Sequence, residues 1–195
     1  SGKEIVDVAK LPYAKQVAQE RINELMVAHA RDGKRVVRLK GGDPYVFGRG
    51  FEELQACASA GVPCEVVPGV TSAVSVPAAA RIPVTQRGVT HSFTVVSGHL
   101  APDDPRSLVD WEALARVGGT IVVIMGVRQA PAIAETLQHV LPATTPAAVI
   151  QDGETTRQRE ICTTLGSLAE TMERERITNP AVYVIGEVAG LAHAG

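Results

Sequence analysis

Between positions 40 and 50 the chain reads Lys-Gly-Gly-Asp-Pro-Tyr-Val-Phe-Gly-Arg-Gly. Adjacent glycines at 41 and 42 let a backbone approach a ligand closely, and Asp43 sets a carboxylate beside them. An ordinary tight turn satisfies the same pattern. Two phosphate-holding motifs are excluded: Gly48-Arg49-Gly50 is not followed by Lys-Ser/Thr, and Gly48-x-Gly50 lacks the third glycine of a dinucleotide fingerprint. Lys34, Arg35, Arg38, Lys40 and Arg49 gather positive charge around this loop in a chain of net charge −2. That suits a small anionic molecule, and it equally suits the solvated ends of a strand. Pro68-Gly-Val-Thr-Ser-Ala73 reads as a turn followed by a helix start, with Thr71 or Ser72 as cap or as neighbour to a ligand.

Other candidates carry less chemistry. His91 and His99 flank a strand, but their spacing matches no zinc motif, so no metal is expected. Ser97-Gly98-His99 lacks the Gly-x-Ser-x-Gly elbow of a nucleophilic hydrolase. Met125-Gly126 reads as core followed by a turn, and Asp152-Gly153 as a turn.

These residues need elements to hold them. Val17, Ile22, Leu25, Met26 and Ala30 form one stripe of a helix over residues 16–31, stopped by Asp32-Gly33. Residues 35–39 read as a strand entering the glycine loop, residues 51–60 as a helix, 64–67 as a second strand and 72–80 as a helix. Residues 81–88, with Pro83 and Gly88, read as a linker. Beyond it, β-like runs at 93–97, 120–125, 147–151 and 181–185 alternate with helical or loop stretches, which favours an α/β sheet. Residues 160–164 read as a further, antiparallel strand, and 165–174 as a helix.

Composition sets the frame. The 195 residues are 45% hydrophobic and 21% charged, which excludes disorder and collagen-like repeats. A pI of about 6.2 argues against a general nucleic-acid binder. Three cysteines without C-x-x-C spacing point to a reducing compartment, hence the cytoplasm. The longest apolar run, residues 121–125, is far short of the ~18 residues of a membrane span.

Taken in order, the blocks Arg35-Val-Val-Arg-Leu-Lys-Gly-Gly-Asp-Pro-Tyr-Val-Phe-Gly-Arg-Gly50, Val67-Pro-Gly-Val-Thr-Ser-Ala73, Ile82-Pro-Val-Thr85, Val96-Ser-Gly-His99 and Gly186-Glu-Val188 carry a resemblance. The chain resembles the uroporphyrinogen-III C-methyltransferases, a branch of the tetrapyrrole methylases, over nearly its whole length. The resemblance implies an α/β, two-domain tetrapyrrole methylase fold with S-adenosylmethionine in the interdomain cleft, working as a homodimer. It implies uroporphyrinogen III as acceptor, methylated twice to precorrin-2 on the route to sirohaem and cobalamin. The alternatives are a tetrapyrrole methylase acting later in cobalamin synthesis and an inactive fragment that binds cofactor or tetrapyrrole.

By matching motif, the resemblance implies cofactor contacts at Gly41, Gly42, Asp43, Val46, Thr71, Ser72, Met125 and Gly153. It implies a substrate carboxylate contact at Arg49 and, counting back without a gap, a proton-transferring lysine at Lys10. The family follows that lysine with Arg-Ala-Gly, where this chain has Leu11-Pro12-Tyr13. Family members also open with a strand and a Gly-x-Gly-x-Gly-Asp loop that would fall ahead of residue 1. Residues 1–89 are therefore expected to be the remainder of an N-terminal domain with its linker, and 90–195 a C-terminal α/β domain.

Overall fold

The computed structural model describes residues 2–8 and 19–192. They form two compact units, Ser1–Thr71 and Ser72–Gly195.

In the first unit, α1 (Gln19–Arg31) turns Ile22 and Gln19 inward against α2 (Gly50–Ser59). It stops where the stop signal lies: Gly33 takes φ 78°, and Lys34 N–H donates back to the His29 carbonyl. A left-handed residue at this place is what glycine supplies without steric cost. At the far end of α2, Gly61 repeats the device with φ 69°, and Arg31 Nη2 donates to the Ala60 carbonyl, joining the ends of the two helices. Neither residues 35–39 nor 64–67 enter a strand ladder among the described residues. Alternation favours a pleated chain, but a strand also needs a neighbour to take its N–H and C=O groups, and none of the described residues pairs with these segments. Their apolar members stay outside, with Val37 78% and Leu39 83% exposed.

The second unit begins with α3 (Ser72–Ala79) and continues through β1 (Phe93–Ser97), α4 (Trp111–Val117), β2 (Thr120–Ile124) and α5 (Ala130–Gln138). It ends with β3 (Pro146–Gln151), β4 (Arg159–Thr164), α6 (Leu168–Arg174) and β5 (Ala181–Ile185). The strands form one sheet of order β1-β2-β5-β3-β4. β1 and β2 are parallel and the other pairs antiparallel, β3 with β4 as the sequence suggests. β2 and β5 are buried along their whole length, which explains the apolar runs 121–124 and 181–185.

Both faces of the sheet are covered. On one, Ala73, Val76, Ala80 and Ile82 pack with Val122, Ile124, Ile150 and Val184. On the other, Trp111, Ile133, Leu137, Leu168 and Met172 pack with Val123, Val149 and Tyr183. Each fully buried Val, Leu or Ile contributes about 1.5–3 kcal/mol. Residues 72–82, expected to go with the first domain, thus fall in the second unit, where Ala73, Val76, Ala80 and Ile82 are buried and α3 packs on β2 and β5. Asp110 caps α4 by accepting the Ala113 N–H at 2.8 Å. Among the described residues no helix is long and apolar enough to cross a membrane.

Candidate functional site

The glycine loop is fixed by its own acid. Asp43 Oδ1 accepts the Tyr45 amide at 2.8 Å and Oδ2 accepts the Gly69 amide at 3.1 Å. These bonds, from Gly69 first and then Tyr45, hold the carboxyl below the ordinary aspartate range. Backbone closes on backbone at the same place: a Cβ on Gly69 would lie 2.5 Å from the Gly42 oxygen, and one on Gly48 or Gly50 would lie 2.6 or 2.7 Å from the Pro44 oxygen. Gly42 itself takes φ 102°. Gly41 is different, because among the described residues a Cβ there would meet nothing within 4 Å. Those residues make no demand for glycine at 41 and leave its backbone open to a ligand.

Four of the five cations around the loop are ion-paired, two of them with the same carboxylate. Lys34 pairs with Glu4 at 2.8 Å, and Arg49 holds Glu52 through both Nε and Nη2 at 2.7 and 2.6 Å. Arg38 Nε and Lys40 Nζ both reach Glu53, at 3.1 and 2.9 Å. Burial pushes the Glu53 carboxyl up, yet the hydrogen bonds from Lys40 and Gln19 and the charge of Arg38 outweigh it and keep it ionised below its usual range. The Arg49 pair is solvent-exposed, where an ion pair is worth little and exchanges readily for another carboxylate. Arg49 sits in the left-handed region at φ 59°, at the start of α2.

In the second unit, topology gathers three more motifs. Ser97 and Ile124 are opposite each other where β1 and β2 end, and Ile124 and Gln151 lie beside Val182 and Ala181 at the start of β5. The turns Ser97-Gly98-His99, Met125-Gly126 and Asp152-Gly153 therefore leave one end of the sheet, the edge where ligands of open α/β sheets bind. A Cβ on Gly98 would lie 2.7 Å from Gly126 Cα, and the buried Tyr183 hydroxyl donates to the Gly126 carbonyl at 3.4 Å. Met125, at φ 57°, is 48% exposed rather than core. Gly153 brings its backbone against Val76 of α3, the helix that Ser72 opens. Ser97 Oγ and His99 Nδ1 are 2.8 Å apart.

Of the residues expected at the site, the first unit brings together Gly42, Asp43 and Val46 with Gly69, two positions before Thr71. The second brings Met125 and Gly153 to one sheet end. Lys10 lies outside the described residues. Reading by sequence missed Glu53, whose cationic partners lie 13 and 15 positions away, a separation with no local signal.

The chain belongs to the tetrapyrrole (corrin/porphyrin) methylases, whose family model matches residues 3–169. It is 46% identical over 192 residues to the S-adenosyl-L-methionine-dependent uroporphyrinogen III methyltransferase of Methanosarcina barkeri, covering 98% of this chain and 75% of that one. To siroheme synthase 1 of Yersinia pseudotuberculosis it is 47% identical over 191 residues, which is 97% of this chain and 40% of that longer protein. The crystal structure of uroporphyrin-III C-methyl transferase from Thermus thermophilus complexed with S-adenyl homocysteine matches with a TM-score of 0.75 at 40% identity, covering 89% of this chain and 75% of that one.

Proposed function

We propose that this chain transfers methyl groups from S-adenosylmethionine to uroporphyrinogen III, two per acceptor, to give precorrin-2. The observation that carries the reading is the 46% identity, over nearly the whole chain, with the Methanosarcina methyltransferase. The glycine loop supports it: backbone exposed at Gly41, anchored by Asp43 and Gly69, suits a small polar ligand gripped by main-chain atoms.

S-adenosylmethionine, when bound, supplies an electrophilic methyl group on a sulfonium. The protein has to align that methyl with a pyrrole carbon and accept the proton released afterwards. Gly41, Gly42, Asp43, Val46 and Thr71 in the first unit, and Ser72, Met125 and Gly153 in the second, are the residues we assign to the donor. The amide-rich loop and the helix start suit its amino-acid part, and apolar Val46 and Met125 suit its adenine or sulfonium region. Arg49, paired with an exposed acid, is assigned to a substrate carboxylate, exchanging Glu52 for it. Lys10 is assigned to proton transfer by motif position alone.

The working form we propose is a cytoplasmic homodimer. Anaerobic incubation with uroporphyrinogen III and S-adenosylmethionine tests the activity. Precorrin-2 formation is expected; methylation of a more methylated precorrin alone would assign a later step.

A further inference from the structure

Glu53 belongs to no motif assigned above, yet it is the most enclosed acid of the first unit. Only 5% of it is exposed, a rare state for a glutamate unless it is paired. Its Oε2 accepts Lys40 Nζ at 2.9 Å, and its Oε1 accepts Arg38 Nε and Gln19 Nε2, both at 3.1 Å. One carboxylate thus ties together α1, through Gln19, α2, on which it stands, and the segment running into the glycine loop.

Among the described residues, that segment is otherwise tied at its start, where Lys34 meets Glu4 and the His29 carbonyl. Residues 34–40 enter no strand ladder among the described residues, and Val37 and Leu39 point to solvent. Arg38 and Lys40 alternate with them and face Glu53, as the two-residue period of a pleated chain requires. Lys40 is followed directly by Gly41 and Gly42, the residue type with the greatest backbone freedom, so their placement is decided by what grips each end. Asp43 grips one end through Gly69 and Tyr45. Lys40 on Glu53 grips the other.

We infer that Glu53 is a positioning residue for the methyl donor, holding Lys40 and Arg38 so that the Gly41-Gly42-Asp43 backbone keeps its ligand-ready course. The inference rests on the reading of that loop as the donor's. It also removes Arg38 and Lys40 from the cations available to substrate carboxylates: a buried acid already holds both.

The test is Glu53→Gln in the whole chain, with calorimetric titration of S-adenosylhomocysteine and separate KM values for the two substrates. Glutamine keeps the shape and loses the charge that binds both cations. The dissociation constant and the KM for S-adenosylmethionine should both rise about tenfold, with the uroporphyrinogen III KM held within about twofold. Lys40→Met should cause the same loss of donor affinity, and the double variant should lose no more than either alone, because the two act as one contact. If Glu53→Gln fails to fold, Lys40→Met carries the same expectation. A folded variant that binds S-adenosylhomocysteine as the unaltered chain does overturns the inference while leaving the loop's role intact. An unaltered chain that binds none overturns both.

Discussion

The carboxylate of Asp43 accepts the backbone amide of Gly69 at 3.1 Å across 26 positions of sequence. The bond joins the glycine loop to the turn before Thr71, two stretches that carry the donor contacts proposed for the first unit. With the Tyr45 amide on the other oxygen, it commits the carboxylate to shaping the loop. The acid that the motif advertises as a ligand contact is first a brace.

Asp43→Ala should therefore lower S-adenosylhomocysteine affinity by loosening the loop, a change read by calorimetry. The effect has a defined pH course. The carboxyl is held below its ordinary range in the fold, so its contribution to stability is present above the unfolded aspartate pKa and is lost as pH falls through the folded value. The stability gap between the unaltered chain and Asp43→Ala, followed by denaturant unfolding, should be constant near neutrality and close under acid. A gap that widens in acid contradicts this assignment.

Gly41→Ala and Gly69→Ala should separate binding from folding. An added methyl at 69 meets the Gly42 carbonyl, so Gly69→Ala should lower both the melting temperature and donor affinity, with a stability loss of about 1–3 kcal/mol. The methyl at 41 meets nothing among the described residues, so Gly41→Ala should melt with the unaltered chain while binding S-adenosylhomocysteine more weakly. Unchanged binding by Gly41→Ala would remove the loop's open face from the site.

Arg49→Ala should raise the KM for the tetrapyrrole more than that for S-adenosylmethionine. Its pair with Glu52 is exposed, so the melting temperature should hardly move. Steady-state kinetics with each substrate varied in turn checks this, and equal losses toward both would sink the assignment.

Gly153→Ala should destabilise the second unit, since its methyl would fall 2.5 Å from Val76 Cγ1. Adding Val76→Ala should recover part of the loss by vacating that space. Thermal unfolding of the two single variants and the double one tests the contact. Additive losses would contradict it.

Much of the second unit is legible in the sequence because its central strands are buried on both faces: residues 121–124 and 181–185 are short, β-branched-rich apolar runs, which suits core strands. The helix stop at Gly33 is legible for the same local reason. Residues 35–39 and 64–67 carry strand composition without ladder partners among the described residues, and pairing is a property of neighbours that one segment cannot announce. The cations mislead in the same way. Arg38 and Lys40 look like an anion site until Glu53, far along the chain, is found between them. Met125 reads as core from its apolar type, whereas the left-handed turn after β2 puts it at the surface. Gly41 and Gly69 look alike in sequence, and only the packing around each tells a glycine the fold requires from one it does not.

The most direct test of the central claim, that this chain holds the methyl donor, is titration calorimetry of the 195-residue protein with S-adenosylhomocysteine. Saturable binding of one ligand per chain is expected in the micromolar range, on the order of −8 kcal/mol. No heat of binding from a chain shown by circular dichroism to be folded would contradict it.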